Sequence, residues 1–209
     1  MTSVVATNQT ILVVGGGISG MTAALEAAET GKQVVLVEMN PYLGGRTVQL
    51  YRYFPKMCHP TCGLEINLRR LKANPRIQVL TLAEVTGISG TKGNYSVSVK
   101  LKPRHVNSNC TACGECGKAV ETEIADEFNY NLGKIKAAYL PSNMAYPQRY
   151  VIDPSIIGTA DADRAKAACK YNAIDLDQKE EDINLNAADI VCATDWQTYA
   201  AEKLVYYGY

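Results

Sequence analysis

No apolar run in the 209-residue sequence is long enough to cross a bilayer; runs such as 11–14 and 34–37 cover a short strand and no more. The chain opens without a basic stretch, so no secretory pattern is present and the sequence reads as cytoplasmic. An excess of charge of either sign is also missing. Lys plus Arg number 21 and Asp plus Glu number 21, which leaves no global field to favour nucleic acid or an anionic membrane surface. Histidine is scarce: His59 and His105 are the only two, and each reads as a surface or hydrogen-bonded residue, so no Cys/His hydrolase or histidine metal site is indicated. With 47% hydrophobic and 20% charged residues the composition is neither disordered nor collagenous, and the length suits one large domain or a core with one small inserted module.

Cysteine, by contrast, is plentiful. The seven at 58, 62, 110, 113, 116, 169 and 192 are an odd number without a secretory signal, which argues against an extracellular disulfide framework and for metal binding or redox chemistry. Cys192 lies in the apolar run 190–193 and reads as a small hydrophobe in a buried strand.

Residues 10–14 form a β-branched apolar run that stops at three glycines. Residues 18–29 follow with helical spacing and end at Gly31, and 33–37 read as a second buried strand. This is a βαβ unit, which implies a parallel sheet with helices on its faces and places the chain in the α/β class. A helix is expected at 64–72 and a strand at 77–82, then strands at 83–89 and 95–102 around the turn-like stretch 90–94. From His105 to about Asp177 the sequence becomes loop-rich, after which 183–185 and 190–193 return to strand character. The expected organisation is a first domain part at 1–104, an inserted module at 105–177, and a return to the first domain at 178–209. The last segment ends on an apolar, aromatic tail and reads as truncated.

Gly15-Gly16-Gly17-Ile18-Ser19-Gly20 matches G-x-G-x-x-G, and it gains weight by following a strand and opening a helix. Gly15 can make the tight turn, Gly17 can let backbone approach a pyrophosphate, and Gly20 can let helix and strand pack closely. The phosphates would sit at the helix N-terminus, over Ile18 and Ser19. Glu38, closing the second strand, can accept from ribose hydroxyls. The bland alternative is a glycine-rich turn in an empty α/β domain. The next segment, Glu38-Met39-Asn40-Pro41-Tyr42-Leu43-Gly44-Gly45-Arg46, resembles the two-dinucleotide-domain flavoproteins. That resemblance implies FAD, with Met39, the Gly44–Gly45 backbone and Arg46 at the cofactor. Ala193-Thr194 resembles the Ala-Thr-Gly step found late in the same proteins, with Asp195 in the third position.

Cys110-Thr111-Ala112-Cys113-Gly114-Glu115-Cys116 is C-x2-C-x2-C, the opening of a bacterial-type ferredoxin motif. Its fourth cysteine would fall at position 120, before a proline, where Val120 and Glu121 stand. A second half-motif keeps only Cys169, with Ile157, Ala162 and Ala165 where three cysteines would stand. In a two-cluster ferredoxin each cluster takes three cysteines from one motif and the last from the other. Cys110, Cys113, Cys116 and Cys169 are therefore one complete ligand set, while the other set is lost in full; scattered decay would not sort itself this way. One [4Fe-4S] cluster in a degenerate ferredoxin-like module is expected. A structural zinc on the same four thiolates, or no metal, are the alternatives.

Cys58-His59-Pro60-Thr61-Cys62 is C-x3-C, and Cys62 should sit near the N-terminus of the following helix, where a helix dipole favours the thiolate. A redox-active pair and two packed thiols are equally open readings.

Together, Val13-Val14-Gly15-Gly16-Gly17-Ile18-Ser19-Gly20, Asn40-Pro41-Tyr42-Leu43-Gly44-Gly45-Arg46, Phe54-Pro55-Lys56-Met57-Cys58, Cys62-Gly63-Leu64-Glu65-Ile66-Asn67 and Lys136-Ala137-Ala138-Tyr139-Leu140-Pro141 resemble the A-subunit family of heterodisulfide reductases. The resemblance is greatest to the member found in the sulfur-oxidising, heterodisulfide-reductase-like complex. The A-type component of the quinone-interacting membrane-bound oxidoreductase, which partners adenylylsulfate reductase, is the second reading, since it usually keeps both cysteine sets. The resemblance implies a flavin-dependent oxidoreductase that works within a homo- or hetero-oligomeric complex. It also implies partner iron-sulfur subunits and a lipoate-binding protein as carrier of the sulfur substrate. A non-redox or zinc-stabilised assembly component is the reading of a different class.

Overall fold

The computed structural model describes residues 10–195, 199 and 201–207. In chain order the elements are β1 (Thr10–Val14), α1 (Ile18–Glu29), β2 (Gln33–Glu38), α2 (Gly45–Val48), α3 (Thr61–Ala73), β3 (Ile77–Thr81), β4 (Ala83–Thr91) and β5 (Asn94–Leu101). They are followed by α4 (Glu115–Ala119), β6 (Glu123–Ala125), β7 (Lys134–Lys136), β8 (Ala138–Tyr139), β9 (Val151–Ile152), α5 (Ala160–Ala168), β10 (Glu181–Ala187) and β11 (Asp189–Cys192).

Period-two alternation along the β-branched strands sets the layers. β1, β2, β3 and β11 form a parallel sheet in the order β11-β1-β2-β3. Val13 and Leu36 point to one face, where they pack with Met21 and Leu25 of α1 and Leu64 and Leu71 of α3. Leu12, Val35 and Val37 point to the other, where they meet Val97, Val99 and Leu185 of the antiparallel sheet β10-β5-β4. The result is three layers, with α1 and α3 as the crossovers that parallel strands require. This is the Rossmann-like α/β fold expected. Helix α3 starts at Thr61, earlier than expected, with Pro60 as the residue that precedes the first turn.

Cys192 departs from expectation: it is exposed, because β11 pairs only with β1 and lies at the sheet's edge. His105 departs in the opposite sense. It is buried at the base of the 105–177 segment, and its Nδ1 has no hydrogen-bond partner.

β5 and β10 are antiparallel neighbours, with Leu101 opposite Glu181, so residues 102–180 leave and re-enter the sheet side by side. The two ends are tied together by Asn107 N–H to Ala173 O (2.8 Å), Asp175 N–H to His105 O (3.0 Å) and His105 N–H to Gln178 Oε1 (2.8 Å). Beyond this neck Val106, Val120, Ala137, Ile152, Ile156, Ala165 and Ile174 form a separate apolar cluster. Part of the same segment turns back, however: Ala145 is buried in the first core, with Phe128, Leu140 and Tyr146 packed against it. Arg104 joins the two parts. It is buried and donates to Pro41 O (2.6 Å), Thr81 Oγ1 (2.9 Å) and Arg149 O (3.2 Å), and burial, with Arg149 nearby, lowers its guanidinium to about 10.

Among the described residues no helix is long and apolar enough to cross a membrane.

Asp161, near the start of α5, fixes that helix to the strand after α4. It accepts from Thr122 N–H (2.8 Å) and Glu121 N–H (3.4 Å) and pairs with Arg164. Hydrogen bonding from Thr122, then from Glu121 and Arg164, holds its carboxyl below its ordinary value of 3.8. A depressed folded-state value means that the contribution to stability is present above the ordinary value and is lost as the pH falls through the folded one. Asp161→Asn should therefore unfold at lower urea than the parent at pH 7, and the gap should begin to narrow as the pH drops below about 4. Urea melts of both proteins from pH 7 to pH 3 check this; a gap that does not change with pH would refute the assignment.

Candidate functional site

Two sites lie in the structure, one built on the β1–α1 turn and one on the cysteines. At the first, Gly15 leaves β1 with φ +108° and donates from its N–H to Val37 O (2.8 Å). A Cβ on Gly15 would lie 2.2 Å from Ala193 O, and a Cβ on Gly20 would lie 1.8 Å from Gly15 O. Three stretches of backbone are thus in mutual contact, and only glycine permits it. Gly17 differs: no atom lies within 4 Å of a Cβ placed there, and the residue faces an open cleft.

The first intrahelical bond of α1 runs from Met21 N–H to Gly17 O (2.9 Å), and no side chain caps the turn. The N–H groups of 18–20 are then the ones a helix leaves without intrahelical partners, at the positive end of its dipole. Glu38 is buried and oriented from three directions: Oε2 accepts from Gly16 N–H (2.6 Å), and Oε1 accepts from the N–H (2.8 Å) and Nδ2 (2.8 Å) of Asn40. Its fixed carboxylate lines the cleft and retains lone pairs for further donors. Gly44 donates to Gly16 O (2.9 Å), and a Cβ on Gly45 would lie 3.0 Å from Gly17 Cα, so the second glycine pair packs on the first.

The cleft holds about 850 Å³. Gly15, Gly17, Glu38, Met39, Gly45, Arg46, Ala193 and Thr194 all line it. Ile18 and Ser19 lie exposed on the first turn of α1, while Gly20 and Gly44 are buried behind the glycine loop. Asp195, in the place of a glycine, lines the cleft with φ +63°, a left-handed conformation that glycine favours and that aspartate tolerates better than most residues. Tyr42 lies next to this wall; burial, then Glu38 and Tyr130, raises its phenol well above the ordinary value. Sequence reading missed Gln49 and most of the far wall, residues 124–128, 130 and 131. No local pattern marks them, since they reach the cleft only through long-range folding.

The residues fit a dinucleotide: uncapped N–H donors for a diphosphate, a cation at Arg46, an oriented carboxylate for hydroxyls, and a volume within the range of ligand pockets.

At the second site Cys110, Cys113, Cys116 and Cys169 line one small cleft with Val106, Tyr150, Ala173 and Ile174. Ala112 and Gly114, both with positive φ, curl the loop that carries the first three thiols. Backbone N–H groups of Ala112 and Ala173 point at Cys110 Sγ (3.4 Å) and Cys169 Sγ (3.3 Å). Burial, and then the neighbouring Cys110, Cys113 and Cys169, pushes the Cys116 thiol up to about 12. Among the described residues no group of three or more His, Cys, Asp or Glu side chains is placed to hold a metal ion. What the structure shows is four sulfurs lining one small, largely apolar cleft, two of them facing backbone N–H groups, a donor set whose chemistry suits a soft metal. Val120 and Ala165 are buried in the adjoining apolar cluster, Ile157 packs against it, and Ala162 is also buried. The positions that lack cysteine are thus filled with packed side chains.

Cys58 and Cys62 are free thiols and neither lines the dinucleotide cleft. Cys58 lies in a short bridge with Tyr53, and Cys62 is exposed in the first turn of α3. The structure therefore does not bring this pair to the cleft.

Residues 10–78 match the family model of FAD dependent oxidoreductases. With the parallel sheet and the glycine loop, this match agrees with a Rossmann-like dinucleotide-binding fold. More particularly, over nearly its whole length the chain is similar to the A subunits of heterodisulfide reductases. It is 37% identical over 208 residues to the A subunit of ferredoxin:CoB-CoM heterodisulfide reductase of Methanosarcina acetivorans, covering 96% of this chain and 26% of that one. It is 36% identical over 210 residues to the iron-sulfur A subunit of CoB--CoM heterodisulfide reductase of Methanocaldococcus jannaschii, covering 99% and 31%. The chain thus spans between about a quarter and a third of the length of these relatives. Among solved structures, L-proline dehydrogenase from P. horikoshii aligns with 53% of this chain and 21% of its own at 19% identity and a TM-score of 0.40.

The two glycines make opposite expectations. Gly20→Ala should destabilise the fold by about 1–3 kcal/mol, because backbone cannot yield to the new methyl. Gly17→Ala should melt within about 1 kcal/mol of the parent but bind FAD roughly tenfold more weakly. Thermal melts and FAD titrations of both variants check this, and equal behaviour of the two would contradict the geometry.

Proposed function

We propose that the chain is an electron-transfer subunit carrying FAD and one [4Fe-4S] cluster, and that it acts within a heterodisulfide-reductase-type complex. The observation that carries the reading is the convergence of Cys169 with Cys110, Cys113 and Cys116 on one cleft, beside a separate dinucleotide cleft in the same chain. Gly15, Gly17 and the first turn of α1 would receive the diphosphate, Glu38 the ribose hydroxyls, and Gly45, Arg46, Ala193 and Thr194 the rest of the cleft's contacts. When bound, FAD supplies two-electron chemistry and the cluster one-electron transfer. The chain's own part is to orient the one, ligate and solvate the other with backbone N–H groups, and keep both in low-dielectric walls.

The module at 105–177 is ferredoxin-like in this reading, with its second ligand set replaced by Val120, Ile157, Ala162 and Ala165. That single set is what favours the sulfur-oxidising branch over the quinone-interacting one. Partner iron-sulfur subunits and a lipoate-bound sulfur carrier follow from the same assignment, as does a cytoplasmic setting. Cys58 and Cys62 are proposed as a redox pair outside the cleft, able to exchange electrons only with a partner.

Anaerobic purification followed by iron, sulfide, zinc and flavin assays tests the reading. About four irons with matching sulfide and about one FAD per chain are expected. Cys169→Ser should lose the iron and Cys192→Ser should keep it. Stoichiometric zinc without iron, or neither cofactor, would replace this reading with a scaffold.

A further inference from the structure

The far wall of the dinucleotide cleft comes from the cysteine-bearing segment, at the tip of the β6–β7 hairpin. The tip is ordered from within: Asp126 O accepts from Asn131 N–H (2.8 Å), Asp126 N–H donates to Gly133 O (3.0 Å), and Asp126 Oδ1 accepts from Asn129 N–H (3.3 Å). It is also clamped to the glycine-loop side of the cleft. Gln49 Nε2 donates to Phe128 O (2.9 Å), and the Phe128 ring meets Tyr42 edge-on with centroids 5.3 Å apart. Between these anchors Tyr130 and Asn131 line the cleft in consecutive left-handed conformations, φ +54° and +61°. Asparagine accepts such a backbone readily; for a tyrosine it is unfavourable, and glycine would relieve it. The Tyr130 side chain is nonetheless 50% exposed, so packing in the core does not explain an aromatic residue there. Strained backbone at an exposed aromatic residue that lines a ligand cleft is the arrangement expected of a binding residue.

We propose that the hairpin tip is a wall of the dinucleotide site, with the Tyr130 ring stacking on a planar ring of the bound dinucleotide and the Asn131 amide hydrogen-bonding to its polar edge. Stacking on an aromatic side chain tolerates any π face, and the amide offers both donor and acceptor. The hairpin starts a few residues beyond Cys116 and Val120, so the thiol site and the cleft share one continuous piece of chain. The proposal rests on the FAD reading above.

The test is titration of the flavin-free chain with FAD, followed by flavin fluorescence. Tyr130→Gly removes the ring at a backbone position that glycine favours, so its thermal midpoint without FAD should be no lower than the parent's. Its affinity for FAD should fall about tenfold, equivalent to about 1.4 kcal/mol. Tyr130→Phe keeps the π face and should bind within about twofold of the parent. Asn131→Gly should weaken binding several-fold with the fold intact. Competition by ADP locates the stacked ring. Parallel loss of ADP affinity in Tyr130→Gly puts it on the adenine, and loss for FAD alone puts it on the flavin; either result supports the proposal. Equal FAD affinity in parent and Tyr130→Gly would overturn this proposal alone. No FAD binding by the parent would overturn the FAD reading and the proposal with it.

Discussion

Backbone packed directly on backbone at the end of β1 is the constraint from which the rest of the molecule follows. Gly15 must lie under Ala193, and Gly20 under Gly15, for the strand, its helix and the returning strand β11 to share one turn. A single methyl at either glycine would separate them. Because that contact is made, the α1 N-terminus points into open space at Gly17, and Glu38 is held beside it by the Gly16 N–H. The cleft is therefore a by-product of close packing, and its chemistry is set mainly by the first-turn N–H groups of α1 and the oriented Glu38 carboxylate.

A second constraint joins this cleft to the thiols. Arg104 is a buried cation whose hydrogen bonds to Pro41, Thr81 and Arg149 all go to neutral oxygens, and these belong to three segments: the loop after β2, the end of β3, and the cysteine-bearing segment. Burial of such a charge is costly unless its donors are satisfied, so the three segments are held in one arrangement. Pro41, one of its acceptors, lines the dinucleotide cleft. The 105–177 segment is thus not suspended from its neck. Phe128, Ala145 and Tyr146 give part of its apolar surface to the first core.

What was legible in the sequence was local. The βαβ unit, the glycine loop and Glu38 could be read because strand and helix periods and the turn chemistry are written in adjacent residues. Cys169 could be grouped with a distant triplet by matching the sequence to a two-motif ferredoxin pattern, and the structure puts all four on one cleft. The rest depended on contacts that no short window contains. β10 and β11 read alike as strands, yet one lies in the antiparallel layer and the other on the edge of the parallel sheet, which is why Cys192 is exposed. Arg104 and His105 look like ordinary polar linker residues and are buried by the crossing of the segment's two ends. Tyr130 carries no signal at all in sequence; its backbone conformation is what singles it out.

If one chain holds a two-electron carrier and a one-electron carrier together, its electron capacity must exceed that of a flavin alone. An anaerobic reductive titration of the cofactor-loaded protein, followed by absorbance and electron paramagnetic resonance, tests this most directly. Uptake of about three electrons per chain is predicted, two at the flavin and one at the cluster, with a paramagnetic signal from the reduced cluster. Uptake of about two electrons with no such signal would contradict it, and would leave a flavin domain beside four thiols that carry no electrons.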